Sequence, residues 1–228
     1  MKRREFTAGV ISAAPLGFTG LVGTAHAAVG EADAALGVRA ALERGALAAV
    51  GLLGRTDGFL GNPKVRIPLP GFLKEAAKLL RATGQKKKVE ELELAMNRAA
   101  EAAVPEARAL LVAAVKALSV EDALKIVRGN ETAVTEFFAG KTRLPLGEKF
   151  LPIVTRATEK VSLAERYNAV AGKAAAAGLV KGDETNVQRY VTTRALDGLF
   201  TMIGEEEKKI RADPVGTGSA ILKKVFGR

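Results

Sequence analysis

Three polar side chains fall inside the apolar stripes of predicted helices, where they could do chemistry or bind a ligand. When residues 87–117 are turned at 100° per residue, Glu93 and Asn97 lie within the apolar stripe. In residues 186–212, Glu206 lies within the corresponding stripe, with no cation four positions further on. A carboxylate on an apolar face needs a partner, because desolvation of an unpaired charge is costly. We therefore predict that Glu206 is buried and paired with a cation or amide donor from another helix.

Neighbouring residues complete a candidate polar cluster. Its members, as a candidate binding site, are Glu93, Asn97, Arg98, Glu101, Arg194, Asp197 and Glu206. Two carboxylates on facing helices could run general acid–base chemistry or hold a hard cation. A closed network of the same groups would instead fix the register of the helices. The sequence favours the closed network, places ligand binding second and places catalysis last.

The residue types that the chain lacks exclude much other chemistry. There is no Cys, and the one His is His26. Because His26 lies in a segment that we expect to be cleaved, the remaining chain has no thiol or imidazole. Ser-His-Asp and Cys-His catalysis, Cys/His zinc sites, His-ligated haem and disulfides are thereby excluded. We expect no metal site and no cofactor.

Helices must position the cluster, and the sequence predicts an all-α fold. Apolar residues recur at spacings of three and four, and Ala is abundant. The predicted helices are 31–54, 72–83, 87–117, 120–128, 131–142, 145–160, 163–177, 186–212 and 217–226. Pro105 and Pro152 are expected to begin or kink helical segments, and Ser119 with Asp122 resembles a capping box. Without a tandem repeat or linker, residues 28–228 are predicted to form a single compact helical bundle.

Residues 55–71 do not fit a helix and predict one long, extended, Pro-rich loop. Pro63, Pro68 and Pro70 each favour an extended conformation at the residue before them. A loop of this length inside a compact domain is often functional, although the sequence favours simple packing of its apolar side chains across the bundle. The candidate functional residues of this loop are Asp57, Gly58, Phe59, Asn62 and Pro63.

The first 27 residues predict export. Basic residues 2–4 precede an uncharged apolar stretch, and residues 25–27, Ala-His-Ala, match a small-x-small cleavage site. Residues 3–6, Arg-Arg-Glu-Phe, resemble the core of a twin-arginine signal, with a general secretory signal as the alternative. We therefore expect a periplasmic protein that is soluble after cleavage. We expect no lipid anchor, because no Cys follows the stretch, and no transmembrane segment.

The charge of the chain indicates what kind of partner it has. The formal net charge is +10, and +8 remains once the signal, with three basic residues and one acidic residue, is removed. Such a balance favours an anionic component of the cell envelope or a small ligand. Two Tyr and no Trp provide little aromatic surface for stacking bases, so no nucleic-acid partner is expected.

Several segments resemble the bacterial domain-of-unknown-function family 4197. They are Asp57-Gly58-Phe59-Leu60 with Asn62-Pro63 and Ile67-Pro68-Leu69-Pro70, residues 96–101, 121–124, 137–138 and 148–154, and residues 195–203 running into 205–211. The resemblance covers about residues 34–227 and implies an exported helical protein with no activity to carry over. Some members look like lipoproteins, whereas this chain has no Cys.

The sequence thus predicts a non-enzymatic exported protein that binds a ligand or partner. One alternative is a carboxylate-dependent hydrolase acting on cell-envelope material. It requires two carboxylates roughly 5–9.5 Å apart that face one open cleft. A second alternative is a structural, envelope-associated protein held by its positive charge.

Overall fold

The computed structural model describes residues 31–73, 77, 82, 84, 86–130, 133–159, 162–176, 178 and 182–213. The α-helices among them are α1 (Glu31–Leu53), α2 (Lys86–Ala103), α3 (Ala107–Lys116), α4 (Val120–Arg128), α5 (Ala133–Thr158), α6 (Ser162–Ala176) and α7 (Val187–Ala212). Short 3-10 turns lie at Gly71–Leu73, Val104–Glu106 and Gly182–Thr185. No strand occurs within the described ranges, and the predicted all-α class is confirmed. The segment predicted as a helix over 217–226 lies outside the described residues.

Prolines shape two helices differently. Pro105 lies in the 3-10 turn between α2 and α3, so the helix predicted over 87–117 is divided there. The predicted break between residues 142 and 145 is wrong, because α5 continues through both Pro145 and Pro152. Residues 141 and 148, whose carbonyls lose their helical donors to these prolines, are exposed, and water can bond to them. The buried stripe of α5, made by Val134, Phe138, Leu146, Phe150 and Val154, continues past both prolines.

The buried side chains form one hydrophobic core in which α7 is central. This helix packs against α1, α2 and α5, and α5 packs in turn against α2 and α3. Val191, Ala195 and Leu199 of α7 are completely buried. Ser119 and Asp122 form a reciprocal capping box at the start of α4, as their spacing in the sequence predicts.

The segment between α1 and the turn at residue 71, residues 54–70, has no helix or strand. It packs on the bundle through alternate residues: Val65, Ile67 and Leu69 are buried, while Lys64 and Arg66 are exposed. Alternation of this kind is typical of an extended chain with one buried face. The segment therefore adds apolar side chains to the core and presents cations to solvent.

Candidate functional site

Two side chains of α2 connect residue 57 to the bundle. Glu101 is only 4% exposed. Its Oε1 accepts hydrogen bonds from the backbone N–H groups of Phe59 and Leu60, at 3.0 and 3.2 Å. Its Oε2 lies 2.5 Å from Nη1 of Arg98, whose Nη2 lies 2.7 Å from Oδ1 of Asp57. The hydrogen bonds to Glu101, and then to Asp57, raise the pKa of the Arg98 guanidinium above its ordinary value, which keeps the bridge charged.

Asn97 holds the same segment at a second point. Its Oδ1 accepts from the N–H of Ile67 at 2.9 Å, and its Nδ2 donates to the carbonyl of Ile67 at 3.0 Å. Nδ2 also donates to the carbonyl of Glu93 at 2.8 Å. The buried amide thus satisfies both main-chain groups of one residue, which a neighbouring strand would otherwise do. We call Glu93, Asn97, Arg98 and Glu101 of α2 the loop clamp.

Close packing fixes the other side of the segment. Phe59 is fully buried against α7 at Gly198, and the hydroxyl of Tyr190 donates to the carbonyl of Pro68 at 2.9 Å. Gly58 lies so close to α1 that a Cβ there would be 2.5 Å from the carbonyl oxygen of Leu53. The candidate loop residues Asp57, Gly58 and Phe59 are therefore in contact with the helices.

Asn62 and Pro63 lie further along the loop, where Asn62 is half-buried. The Nδ2 of Asn62 is 3.7 Å from Sδ of Met202, and its Oδ1 accepts from the N–H of Lys64 at 3.1 Å. These bonds shape the turn that leads into Lys64, while Pro63 is exposed. Asn62 thus orients the segment that begins at Lys64.

The candidate cluster does not assemble at a single point. Asp197 of α7 contacts Arg143 of α5 at 2.5 Å and Arg194 of its own helix at 3.9 Å. The two guanidiniums also lie over aromatic rings, Arg143 at 5.8 Å from the centroid of Phe200 and Arg194 at 5.3 Å from that of Tyr190. Arg143 was not among the predicted site residues, and no local pattern distinguishes it from other cations of α5.

The prediction for Glu206 is wrong about its partner. Glu206 pairs with Lys209 of the same helix at 2.6 Å, and its side chain is 19% exposed. The next residue, Glu207, is the buried carboxylate: its side chain is 6% exposed and lies 2.7 Å from Arg211. Arg211 also donates to the carbonyl of Ile126 in α4, at 3.1 Å. Residues of α1 and α4 line one cavity together with Glu207. The apolar residues of the predicted stripe are themselves buried, so the prediction fails for Glu206 alone.

Two carboxylates of the candidate cluster, Glu101 and Glu206, each have a cation partner of their own. Glu101 is bonded through both oxygens in a buried setting, which leaves it unsuited to receive a substrate proton. Glu206 is paired with Lys209 near the C-terminal end of α7. Within the described ranges, no group of three or more carboxylates or other metal-ligating side chains could hold a metal ion.

These contacts create a surface groove between α7 and residues 54–70, which we call the clamped segment. Its lining is Lys64, Val65, Arg66, Ile67, Pro68, Arg194, Asp197, Gly198 and Thr201, and its volume is about 290 Å³. The three cations are each roughly half exposed. Lys64 pairs with Glu205, and Arg66 pairs with Glu93 at 2.9 Å. We call this the basic groove. Lys64 and Arg66 alternate with the buried residues Val65 and Ile67 in the sequence, and that alternation is the signal from which these two cations could have been selected.

Comparison with known proteins identifies a family over most of the chain. A family model described as "Protein of unknown function (DUF4197)" matches residues 28–227. No match was found among curated proteins or among solved structures. None of the described helices is both long and apolar enough to cross a membrane.

Proposed function

The chain belongs to the DUF4197 family of proteins of unknown function, and on this premise we propose that it is an exported, non-enzymatic protein that binds an anionic ligand in the basic groove. The observation that carries the proposal is the convergence of Lys64, Arg66 and Arg194 on one groove from two separate elements. The lining contains one carboxylate, Asp197. An anion is therefore the ligand that the charge of this lining favours.

The cations are available for exchange with a ligand. Arg194 is 3.9 Å from its carboxylate partner, which is a loose pair. Exposed ion pairs typically contribute only about 0–1 kcal/mol. A phosphate or carboxylate that accepts charge-assisted hydrogen bonds from several cations at once can replace them with stronger contacts.

The loop clamp supports binding by holding the groove in place. Asn97 fixes the main chain of Ile67 between Arg66 and Pro68, and Tyr190 fixes the carbonyl of Pro68. Binding groups on a fixed backbone lose less conformational entropy when a ligand arrives. The polar residues that the sequence singled out on α2 thus act through the segment that they position.

Binding can be tested with inorganic phosphate as the probe, at low ionic strength, on protein purified after export. We expect Arg194→Gln to weaken phosphate binding about tenfold, since a hydrogen bond to a charged group contributes roughly 1.5–3 kcal/mol. Arg189→Gln is the matched control, because Arg189 is an exposed cation of the same helix that does not line the groove. Absence of phosphate binding, or an equal loss in the control, would contradict the proposal.

Export is the second part of the proposal. The basic start, the apolar stretch and the small-x-small site support removal of residues 1–27, leaving residues 28–228 as a single domain in the periplasm. Intact-mass measurement of the exported protein tests this, and a mass that retains Met1 through Ala27 would overturn it. Replacing Arg3 and Arg4 with Lys should block a twin-arginine route, whereas unimpaired export would identify the general secretory route.

A further inference from the structure

A second groove adjoins the basic groove on the same side of α7. Its lining is Thr135, Ala139, Arg143, Asp197, Phe200, Thr201, Gly204, Glu205 and Lys208, and its volume is about 480 Å³. Asp197 and Thr201 line both grooves. We call this the second groove. The shared residues make the two grooves neighbours along one surface.

The geometry of α7 makes this surface a straight track. At 100° per residue, the α7 residues that line the two grooves fall within a sector of about 160°, and Arg194 and Lys208 differ by only about 40°. Arg194 and Lys208 stand at its two ends, about 21 Å apart at 1.5 Å per residue. Between them, a Cβ on Gly204 would be 2.8 Å from Oγ1 of Thr135, so α5 and α7 approach closely there.

Cations are distributed along the whole track. Each of its two carboxylates lies between cations of both grooves. Asp197 lies between Arg143 and Arg194, at 2.5 and 3.9 Å. Glu205 lies between Lys64 and Lys208, with the latter at 4.0 Å. The combined lining of the two grooves contains five cations and two carboxylates, so positive charge exceeds negative charge. This positive charge extends over a length that one small anion cannot cover.

We propose that the ligand of this track is a linear chain of repeated phosphate groups that lies across both grooves. The inference rests on the proposed function, because it assumes that the basic groove binds an anion. A chain with repeated charges can contact Arg66 and Arg194 at one end and Arg143 and Lys208 at the other. Phosphate oxygens match both the planar guanidinium of Arg and the point charge of Lys.

The lining also indicates that this chain has no rings. The described lining of the basic groove contains no aromatic residue. The aromatic ring of the second groove, Phe200, is only 3% exposed and lies beneath Arg143. Bases and sugar rings are usually recognised by stacking on exposed aromatic faces. A phosphate chain without rings needs only cations and hydroxyl groups, and the track offers both.

The test compares inorganic phosphate with long-chain inorganic polyphosphate on the exported protein at equal total phosphate. We expect polyphosphate to bind more than about tenfold more tightly, because one chain neutralises several cations. Lys208→Gln should weaken polyphosphate binding about threefold or more and reduce its salt dependence. The same change should leave inorganic phosphate binding in the basic groove unaltered.

Lys149→Gln provides the matched control, since Lys149 is an exposed cation of α5 that lines neither groove. An unchanged polyphosphate affinity in Lys208→Gln, or an equal loss in Lys149→Gln, would overturn the extended track. So would an oligouronate of matched charge that competes as well as polyphosphate. Phosphate binding without any gain for the chain would reject this inference alone, whereas failure of both probes to bind would reject the proposed function as well.

Discussion

The ring of Phe59 occupies the space that a side chain at position 198 would need. A Cβ built on Gly198 would lie 2.6 Å from Cε1 of Phe59 and 3.2 Å from Cβ of Val65. Phe59 is fully buried, so the ring cannot move aside without disturbing the core. The contact joins residues that are far apart in sequence, and it seats the clamped segment on α7.

Gly198→Ala should therefore destabilise the protein, even though Ala is usually the better helix former. We expect a loss of about 1–3 kcal/mol, the usual cost of overpacking a core, measured as a lower urea midpoint. Gly140→Ala is the control, because a Cβ on Gly140 of α5 would have no neighbouring atom within 4 Å, and this change should be neutral or stabilising by up to about 1 kcal/mol. Equal effects of the two substitutions would contradict the close contact with Phe59.

Glu101→Ala should destabilise the protein by about 3 kcal/mol. It leaves the N–H groups of Phe59 and Leu60 without their acceptor, at roughly 1–3 kcal/mol for each donor that remains buried. Glu101→Gln should cost less, because the amide oxygen can still accept from both. Chemical denaturation measures the difference, with Glu106→Ala as an exposed control expected to stay within about 0.5 kcal/mol. A Glu101→Ala protein as stable as the control would show that the clamp does not hold the segment.

Glu206 and Glu207 should respond differently to truncation. Glu207→Ala removes one partner of a largely buried ion pair with Arg211, for which we expect a cost of about 3 kcal/mol. Glu206→Ala breaks a pair with an exposed lysine and should cost less than about 1 kcal/mol. Urea melts of the two variants provide the comparison. The reverse order of stabilities would show that Glu206, and not Glu207, is the buried carboxylate of this helix.

The two tyrosines should resist ionisation while the protein is folded. Burial raises the pKa of Tyr167 well above its usual range, with the nearby charge of Glu184 adding to the effect. Burial also raises the pKa of Tyr190, against the opposing influence of Arg194. Stability from the neutral phenols is fully present below about pH 10, where unfolded tyrosines ionise, and is lost as pH rises towards the higher folded-state pKa. These are the only tyrosines in the chain, so the ultraviolet absorbance of tyrosinate reports on them alone.

In an alkaline titration, we expect tyrosinate absorbance to rise together with the loss of helical circular dichroism. A parallel titration in concentrated urea should give the ordinary pKa of about 10. Ionisation near pH 10 with the helical signal intact would show that the phenols are accessible to solvent in the folded protein.

The sequence predicts what is determined locally. The start of α4 follows from Ser119 and Asp122, because a capping box involves residues only three positions apart. The all-α class follows from apolar spacing in the same way. Asn97 could be selected as a polar group within an apolar stripe and Glu101 as one beside it, but their partners could not. Those partners are main-chain atoms of Phe59, Leu60 and Ile67, which only the tertiary fold brings close.

Glu207 shows why the remaining part of the site could not be predicted. With Arg211 four residues later, it has the spacing of an exposed surface pair. Its burial depends on other helices, since residues of α1 and α4 line one cavity with Glu207 and the Ile126 carbonyl of α4 accepts a bond from Arg211. A periodicity read from one helix contains no information about which neighbour covers its last turns.

The contacts of the clamped segment also determine when the basic groove can exist during folding. The bond from Tyr190 to Pro68 spans 122 residues, and the ion pair between Lys64 and Glu205 spans 141. Closing loops of this size costs chain entropy before any contact repays it, so helices with local contacts can form earlier than the groove. A chain that stops before α7 lacks one wall of the groove. Ligand binding would then report that synthesis and folding have both reached completion.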